Sequence, residues 1–210
     1  MTDTGNLYVF EGMDGVGKST VAERFAETID ADLMQTPGDG ISQIREYVDS
    51  DQHSRETKFL LYLGSNAAVS DQIEDRLEQG DDVVLDRYVP TTVAYNAAAT
   101  EDDDLEMWVD RADEYDFTDP DELFYLHTDE ETRKERMYGR DDVGKRHETD
   151  DEFMQEVRVV YDELIDVYDM QPIEAVDGVD NVIDSILEQT EGMEAERQTG
   201  DSVESDSPHD

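Results

Sequence analysis

The sequence predicts an α/β domain built on a parallel sheet. From Asn6 to about Gln189 short apolar runs alternate with stretches whose apolar residues recur every three to four positions, and a glycine-rich segment joins the first run to the first such stretch. The 210 residues suit one domain with a sizeable core. We assign residues 1–190 to that domain and 191–210 to an acidic tail without stable structure, because Glu191–Asp210 has hardly an apolar residue to bury.

The expected strands are Leu7–Glu11, Ala31–Gln35, Asp82–Asp86, Glu122–His127 and Pro172–Val176. The expected helices are Lys18–Ile29, Ile41–Asp49, Glu56–Gln79, Asp102–Tyr115, Asp129–Tyr138 and Thr149–Asp169, punctuated by Pro37, Gly38, Gly80 and Pro120. Trp108, Tyr115, Tyr161 and Tyr168 fall on amphipathic patterns and read as packing residues.

Composition narrows the function. Against 58 Asp and Glu stand 16 Lys and Arg, a formal charge of −42, which opposes general binding to nucleic acid or to an anionic membrane. The acid covers nearly every polar position, as on a salt-adapted surface whose self-repulsion is screened by molar salt. With no cysteine there is no disulfide, Cys-ligated zinc or thiol nucleophile, and four histidines scattered at 53, 127, 147 and 209 make no zinc motif. No run approaches the length of a membrane span and no signal peptide is evident, so a soluble cytoplasmic protein is expected.

Gly12-Met13-Asp14-Gly15-Val16-Gly17-Lys18-Ser19, followed by Thr20, matches G-x-x-x-x-G-K-[ST]. A strand-like run before it and a helix-like run after it supply the context of a phosphate-binding P-loop. The glycines let backbone N–H groups wrap a polyphosphate, the helix N-terminus adds positive potential, Lys18 reaches its β- and γ-phosphates, and the Ser19 hydroxyl ligates Mg²⁺. Asp82–Asp86 ends in a carboxylate suited to the same Mg²⁺, and Arg87 follows with a planar fork suited to a second phosphate. Six of the sixteen basic residues (Arg133, Lys134, Arg136, Arg140, Lys145 and Arg146) fall within fourteen positions, where even spreading predicts about one. With Gly139 and Gly144 as hinges, the segment at about 133–147 reads as a mobile lid whose arginines offset charge on a transferring phosphoryl group.

These residues resemble the thymidylate kinase family. The likeness spans about residues 6 to 190 and runs through Phe10–Thr20, Asp86-Arg87-Tyr88, Thr91, Thr92, Ala94 and Tyr95. It continues through the Arg-rich segment into Arg146-His147-Glu148, Phe153, Val157-Arg158 and Tyr161. It implies a P-loop NTPase three-layer fold with a five-stranded parallel sheet, phosphoryl transfer from MgATP to a nucleoside monophosphate, foremost dTMP, and a homodimer. It places Asp14 beside the acceptor phosphate and metal, Arg87 on that phosphate, and Thr92 and Tyr95 along the sugar and base. Because Met13, Asp14 and Val16 are not basic, Arg136, Arg140 and Arg146 become the candidate catalytic arginines.

Three departures bear on the acceptor. Gln35-Thr36-Pro37-Gly38 stands where the family has Arg-Glu-Pro-Gly, and Lys145 where it has Asp. Leu63-Gly64-Ser65-Asn66-Ala67 stands where it has Phe-Ala-Ala-Asp-Arg, which makes Leu63 the expected acceptor contact and removes the stacking ring and an arginine. Two alternatives therefore stand beside a dTMP kinase: a kinase for another nucleotide or a deoxynucleoside, and a P-loop nucleotide-binding switch without an acceptor site.

Overall fold

The computed structural model describes residues 4–38, 40, 45–50, 52–100, 105–138, 151–176 and 178–200. Chain order runs β1 (Leu7–Glu11), α1 (Lys18–Ile29), β2 (Asp32–Gln35), α2 (Arg45–Val48), α3 (Arg55–Leu77) and β3 (Val83–Asp86). It continues through α4 (Val89–Ala97), α5 (Leu105–Asp113), β4 (Glu122–His127), α6 (Glu130–Tyr138), α7 (Asp151–Val167), β5 (Gln171–Glu174) and α8 (Val179–Gly200). Among the described residues the sheet has five strands, all parallel, in the order β2-β3-β1-β4-β5. The central strands β1, β3 and β4 are almost wholly buried, as expected of strands covered on both faces.

Right-handed crossovers decide which face each helix takes. The step from β1 to β2 runs opposite to every later step, so α1 covers one face, where it packs with α8. On the other face α4 packs against α3, α5 and α7. The first face closes around Phe10, Phe25 and Phe124, with Phe25 of α1 meeting Phe10 edge-on at 5.5 Å between ring centroids. On the second, Tyr125 of β4 stacks on Tyr161 of α7 at 5.2 Å. The chain leaves β1 toward one face and β3 toward the other, which opens a crevice at the carboxyl ends of these two neighbouring strands, where ligands of open α/β sheets bind.

Three elements differ from expectation, the first being β5, which runs Gln171–Glu174 rather than Pro172–Val176 because its pairing with β4 ends at His127 opposite Glu174. Helix α4 begins in Val89-Pro90-Thr91-Thr92-Val93, a β-branched run with little intrinsic helix preference. It forms because its opening N–H groups are taken by a carboxylate from β1, a partner invisible in local sequence. The last helix runs through Gly200 rather than yielding to an unstructured tail at 191. Glu, Met, Ala, Arg and Gln, all good helix formers, dominate 191–198. Residues 201–210 of the expected tail, and Arg140, Lys145 and Arg146 of the expected lid, lie outside the described residues.

Candidate active site

The P-loop sits at the crevice, with backbone angles that require its glycines. Gly12 has φ +133°, and a Cβ there would lie 2.3 Å from the Leu126 carbonyl oxygen. At Gly15, φ +89°, a Cβ would lie 2.6 Å from Met137 Cγ of α6. Helix α1 opens directly behind the loop and carries no acidic residue in its first turn, which leaves its positive end free for an anion. Buried Lys18 donates to the Met13 carbonyl at 2.8 Å. Burial and then the Arg87 charge lower its pKa to about 8, against the opposing pull of Asp14, Asp86 and Glu11.

The Ser19 hydroxyl donates to Asp86 Oδ2 at 2.6 Å, and among the described residues the buried Asp86 Oδ1 has no partner. A hydroxyl beside a carboxylate with a spare oxygen is a hard-oxygen donor set that fits Mg²⁺. Asp14, the other expected metal ligand, has its carboxylate against Arg87 instead, at 2.5 Å.

Arg87 occupies the left-handed region at φ +74°. Its guanidinium spans Asp14, the Gly12 carbonyl at 3.3 Å and Thr91 Oγ1 at 3.1 Å, and lies over the Tyr95 ring, 5.9 Å from the centroid. Burial opposes the charge, but Asp14, then Tyr95 and Tyr161, outweigh it and raise the pKa, so Arg87 stays protonated.

A cavity of about 870 Å³ opens beside Lys18 and Arg87. Asp14, Thr92 and Tyr95 line it, as expected, and so do Arg45, Arg55 and Lys58, which were not anticipated. At its inner end Asn66 Nδ2 donates to Thr92 Oγ1 at 3.1 Å and Asn96 Nδ2 to the Thr92 carbonyl at 2.7 Å. Toward the rim Asp49 gathers Arg45 Nε at 3.4 Å, Lys58 Nζ on its carbonyl at 2.9 Å and the Tyr62 hydroxyl at 2.6 Å. Leu63 does not line this cavity. It is 2% exposed in the hydrophobic core, and Tyr62 presents its ring instead, because one residue along a helix turns the side chain by about 100°. An aromatic ring is thus present where the departure from the Phe-Ala-Ala-Asp-Arg pattern implied none.

Arg136 is on the opposite flank of the P-loop. It donates to the Val16 carbonyl at 2.7 Å and lines a separate cavity of about 460 Å³ with Gly17, Thr20 and Val179. Arg133, read from sequence only as part of the basic cluster, is buried, paired with both Glu130 oxygens at 2.8 Å, and donates to the Asp14 carbonyl at 3.3 Å. Tyr161 does more than pack: its hydroxyl joins Glu11 and Thr91 beneath Arg87.

A sequence model described as Thymidylate kinase matches residues 10–186. The chain belongs to the thymidylate kinase family. A thymidylate kinase of Ruegeria pomeroyi is 34% identical over 70% of this chain and 75% of that protein. One of Dinoroseobacter shibae is 37% identical over 49% of this chain and 55% of that protein, and one of Xanthomonas euvesicatoria 39% over 45% and 46%. The chain thus spans about half the length of two of these curated relatives and three quarters of the other. The thymidylate kinase structure of Candida albicans superposes with a TM-score of 0.77 at 22% identity, covering 91% of this chain and 93% of that one. That of Ehrlichia chaffeensis gives 0.69 at 18%, covering 90% and 99%. The family fold accounts for the strand order and for the P-loop at the β1 end. Among the described residues no helix is long and apolar enough to cross a membrane.

Proposed function

We propose that this chain transfers the γ-phosphoryl group of MgATP to a nucleoside monophosphate, foremost dTMP, giving dTDP and ADP. One observation carries the acceptor class. In a chain of net charge −42, five of sixteen Lys and Arg side chains (Lys18, Arg45, Arg55, Lys58 and Arg87) line one cavity against three carboxylates (Asp14, Asp49 and Asp86), which leaves its lining net positive. So much positive charge suits an acceptor that brings its own phosphate and disfavours a neutral deoxynucleoside. A nucleotide-binding switch has no need of Arg87 forked between Asp14 and Thr91 in a strained backbone turn.

The chemistry needs alignment more than a base. Lys18 holds the β- and γ-phosphates, and P-loop N–H groups donate to their oxygens. Ser19 and Asp86 would hold Mg²⁺, which would supply neutralisation of phosphate charge when bound. Arg87 grips the acceptor phosphate, so that its oxygen meets the γ-phosphorus in line as the bond to the ADP oxygen breaks. Arg136 and Thr20 border the smaller cavity, which suits the nucleoside end of ATP. Arg140 and Arg146 then bring charge to the transferring group from the lid. The Tyr62 ring and the neutral amides of Asn66 and Asn96 favour a pyrimidine at the far end. Those amides, in place of a cation, also support a second reading in which another pyrimidine monophosphate is preferred.

The reading extends to a cytoplasmic enzyme working in salt, as a homodimer. The apolar groove beside the edge strand β2, where Leu33 and Leu60 are 48% and 49% exposed, supports a dimer, to be checked by sedimentation equilibrium. The deciding assay is ADP release from MgATP in molar KCl with dTMP, dUMP, dCMP, dGMP, thymidine or no acceptor. Greatest stimulation by dTMP is expected. Stimulation by another acceptor would move specificity to the Tyr62–Asn66 end, and turnover indifferent to every acceptor would overturn the kinase reading.

A further inference from the structure

One buried acid has no part in the chemistry above. Glu11, the last residue of β1, has no exposed surface, yet both carboxylate oxygens are engaged. Oε1 accepts from the N–H of Tyr88 at 2.7 Å and of Thr91 at 3.3 Å, the donors at the start of α4. Oε2 accepts from the Thr91 hydroxyl and from Tyr161 Oη at 3.2 Å. Thr91 Oγ1 in turn accepts from Arg87 Nη1 at 3.1 Å and lies 2.7 Å from Tyr161 Oη. One carboxylate thus ties together β1, the first turn of α4, α7 and the guanidinium of Arg87.

We propose that Glu11 is the positioning residue of the acceptor site: it fastens the first turn of α4 to β1 and, through the Thr91 hydroxyl, sets the angle at which Arg87 meets the acceptor phosphate. The inference deepens the phosphoryl-transfer reading and rests on it. Arg87 needs such a hold, because a side-chain-bearing residue at φ +74° persists only where its surroundings over-determine it. Asp14 fixes one end of the guanidinium, and the Glu11–Thr91 pair fixes the other. Burial raises the pKa of Glu11, while Thr91, the Arg87 charge and the N–H groups of Tyr88 and Thr91 oppose the rise. The contacts that hold Arg87 are thus the ones that favour the charged acid.

The test compares wild type, Glu11→Gln, Thr91→Val and Thr91→Ser, each as the full chain in molar KCl, with MgATP and whichever acceptor stimulates the wild type most. Glutamine keeps the shape but turns one acceptor oxygen into an N–H donor, so the Thr91 hydroxyl loses its acceptor. Glu11→Gln and Thr91→Val are expected to raise the acceptor KM at least tenfold while the ATP KM stays within twofold. Thr91→Ser, which keeps the hydroxyl, is expected within twofold of wild type in both. An unchanged acceptor KM, parallel rises in both KM values, or a Thr91→Ser enzyme as impaired as Thr91→Val would overturn the proposal. If Glu11→Gln does not fold, the Thr91 pair decides the matter.

A wild type that responds to no acceptor counts against the kinase reading alone, and positioning is then read without turnover. The Arg87 side-chain N–H resonance, assigned by its disappearance in Arg87→Lys, is expected to be sharp in wild type and Thr91→Ser and broadened in Thr91→Val. An identical line in all three would refute the positioning role.

Discussion

Lys18 shows how much a site depends on surroundings that composition hides. The motif announces the lysine, but burial and the charge of Arg87 bring its pKa down to about 8, near the working range. A cation with a lowered pKa loses its charge as pH rises through that value. The kcat/KM for ATP is therefore expected to be flat below about pH 8 and to fall above it with a slope approaching one log unit per pH unit, read from a pH–rate profile of the free enzyme. Lys18→Ala should lower kcat by about 100- to 1,000-fold and abolish that limb, as expected when one phosphate-stabilising donor is removed. The P-loop, Asp86 and Arg87 were legible because each motif position carries its chemistry in its residue type. Tyr62 was not, because neighbouring helix positions face different directions and only the docked helix shows which of Tyr62 and Leu63 meets the cavity. Glu11 left a signal that went unused: a carboxylate closing the otherwise apolar run Leu7–Phe10 must find partners once the strand is buried.

Among the elements, α1 couples the phosphate site to the core. Its apolar stripe Val21, Ala22, Phe25 and Ala26 is buried against the sheet, and the same helix aims its N-terminus at the P-loop. Phe25 contacts Tyr8, Phe10 and Phe124, so Phe25→Ala leaves a cavity beneath the loop and is expected to cost about 3–5 kcal/mol in urea unfolding. The basic segment divides by position. Arg133 and Arg136 on α6 donate to P-loop carbonyl groups, whereas Arg140 and Arg146 follow α6 in sequence, in the segment expected to form a lid. Arg140→Ala or Arg146→Ala is expected to lower kcat by about a hundredfold or more with ATP affinity nearly kept, as for contacts made mainly in the transition state, and steady-state kinetics with ATP titrations would show it. Full turnover by both variants would remove the lid arginines from the mechanism. Helix α4 shows why some elements escape a sequence reading: its first turn is stabilised by Glu11, some 80 residues away in sequence, so no local window contains the reason it forms.

The whole molecule carries its charge as a coat around an ordinary apolar core. A charge of −42 on 210 residues repels itself, and the repulsion acts over a Debye length of about 10 Å at 0.1 M salt and about 3 Å at 1 M. Thermal unfolding followed by circular dichroism is therefore expected to show Tm rising as KCl goes from 0.1 to 2 M, by several degrees or more. A Tm that falls or stays level would mean that the acids are offset locally rather than screened by solvent. The sequence by itself determined the layered α/β class, four of the five strands to within a residue at either end, and the glycine-rich loop that turns from β1 into α1, because periodicity and the P-loop motif are local signals. The tertiary structure alone decided what lines the cavity beside Arg87. The strand order brought the ends of β1 and β3 together, and helix packing chose Tyr62 over Leu63. Burial turned Glu11 from one acid among 58 into the hub beneath Arg87. The meeting of β1 with β3 and of Glu11 with α4 depends on groups more than 70 residues apart in sequence, and only folding brings them into contact.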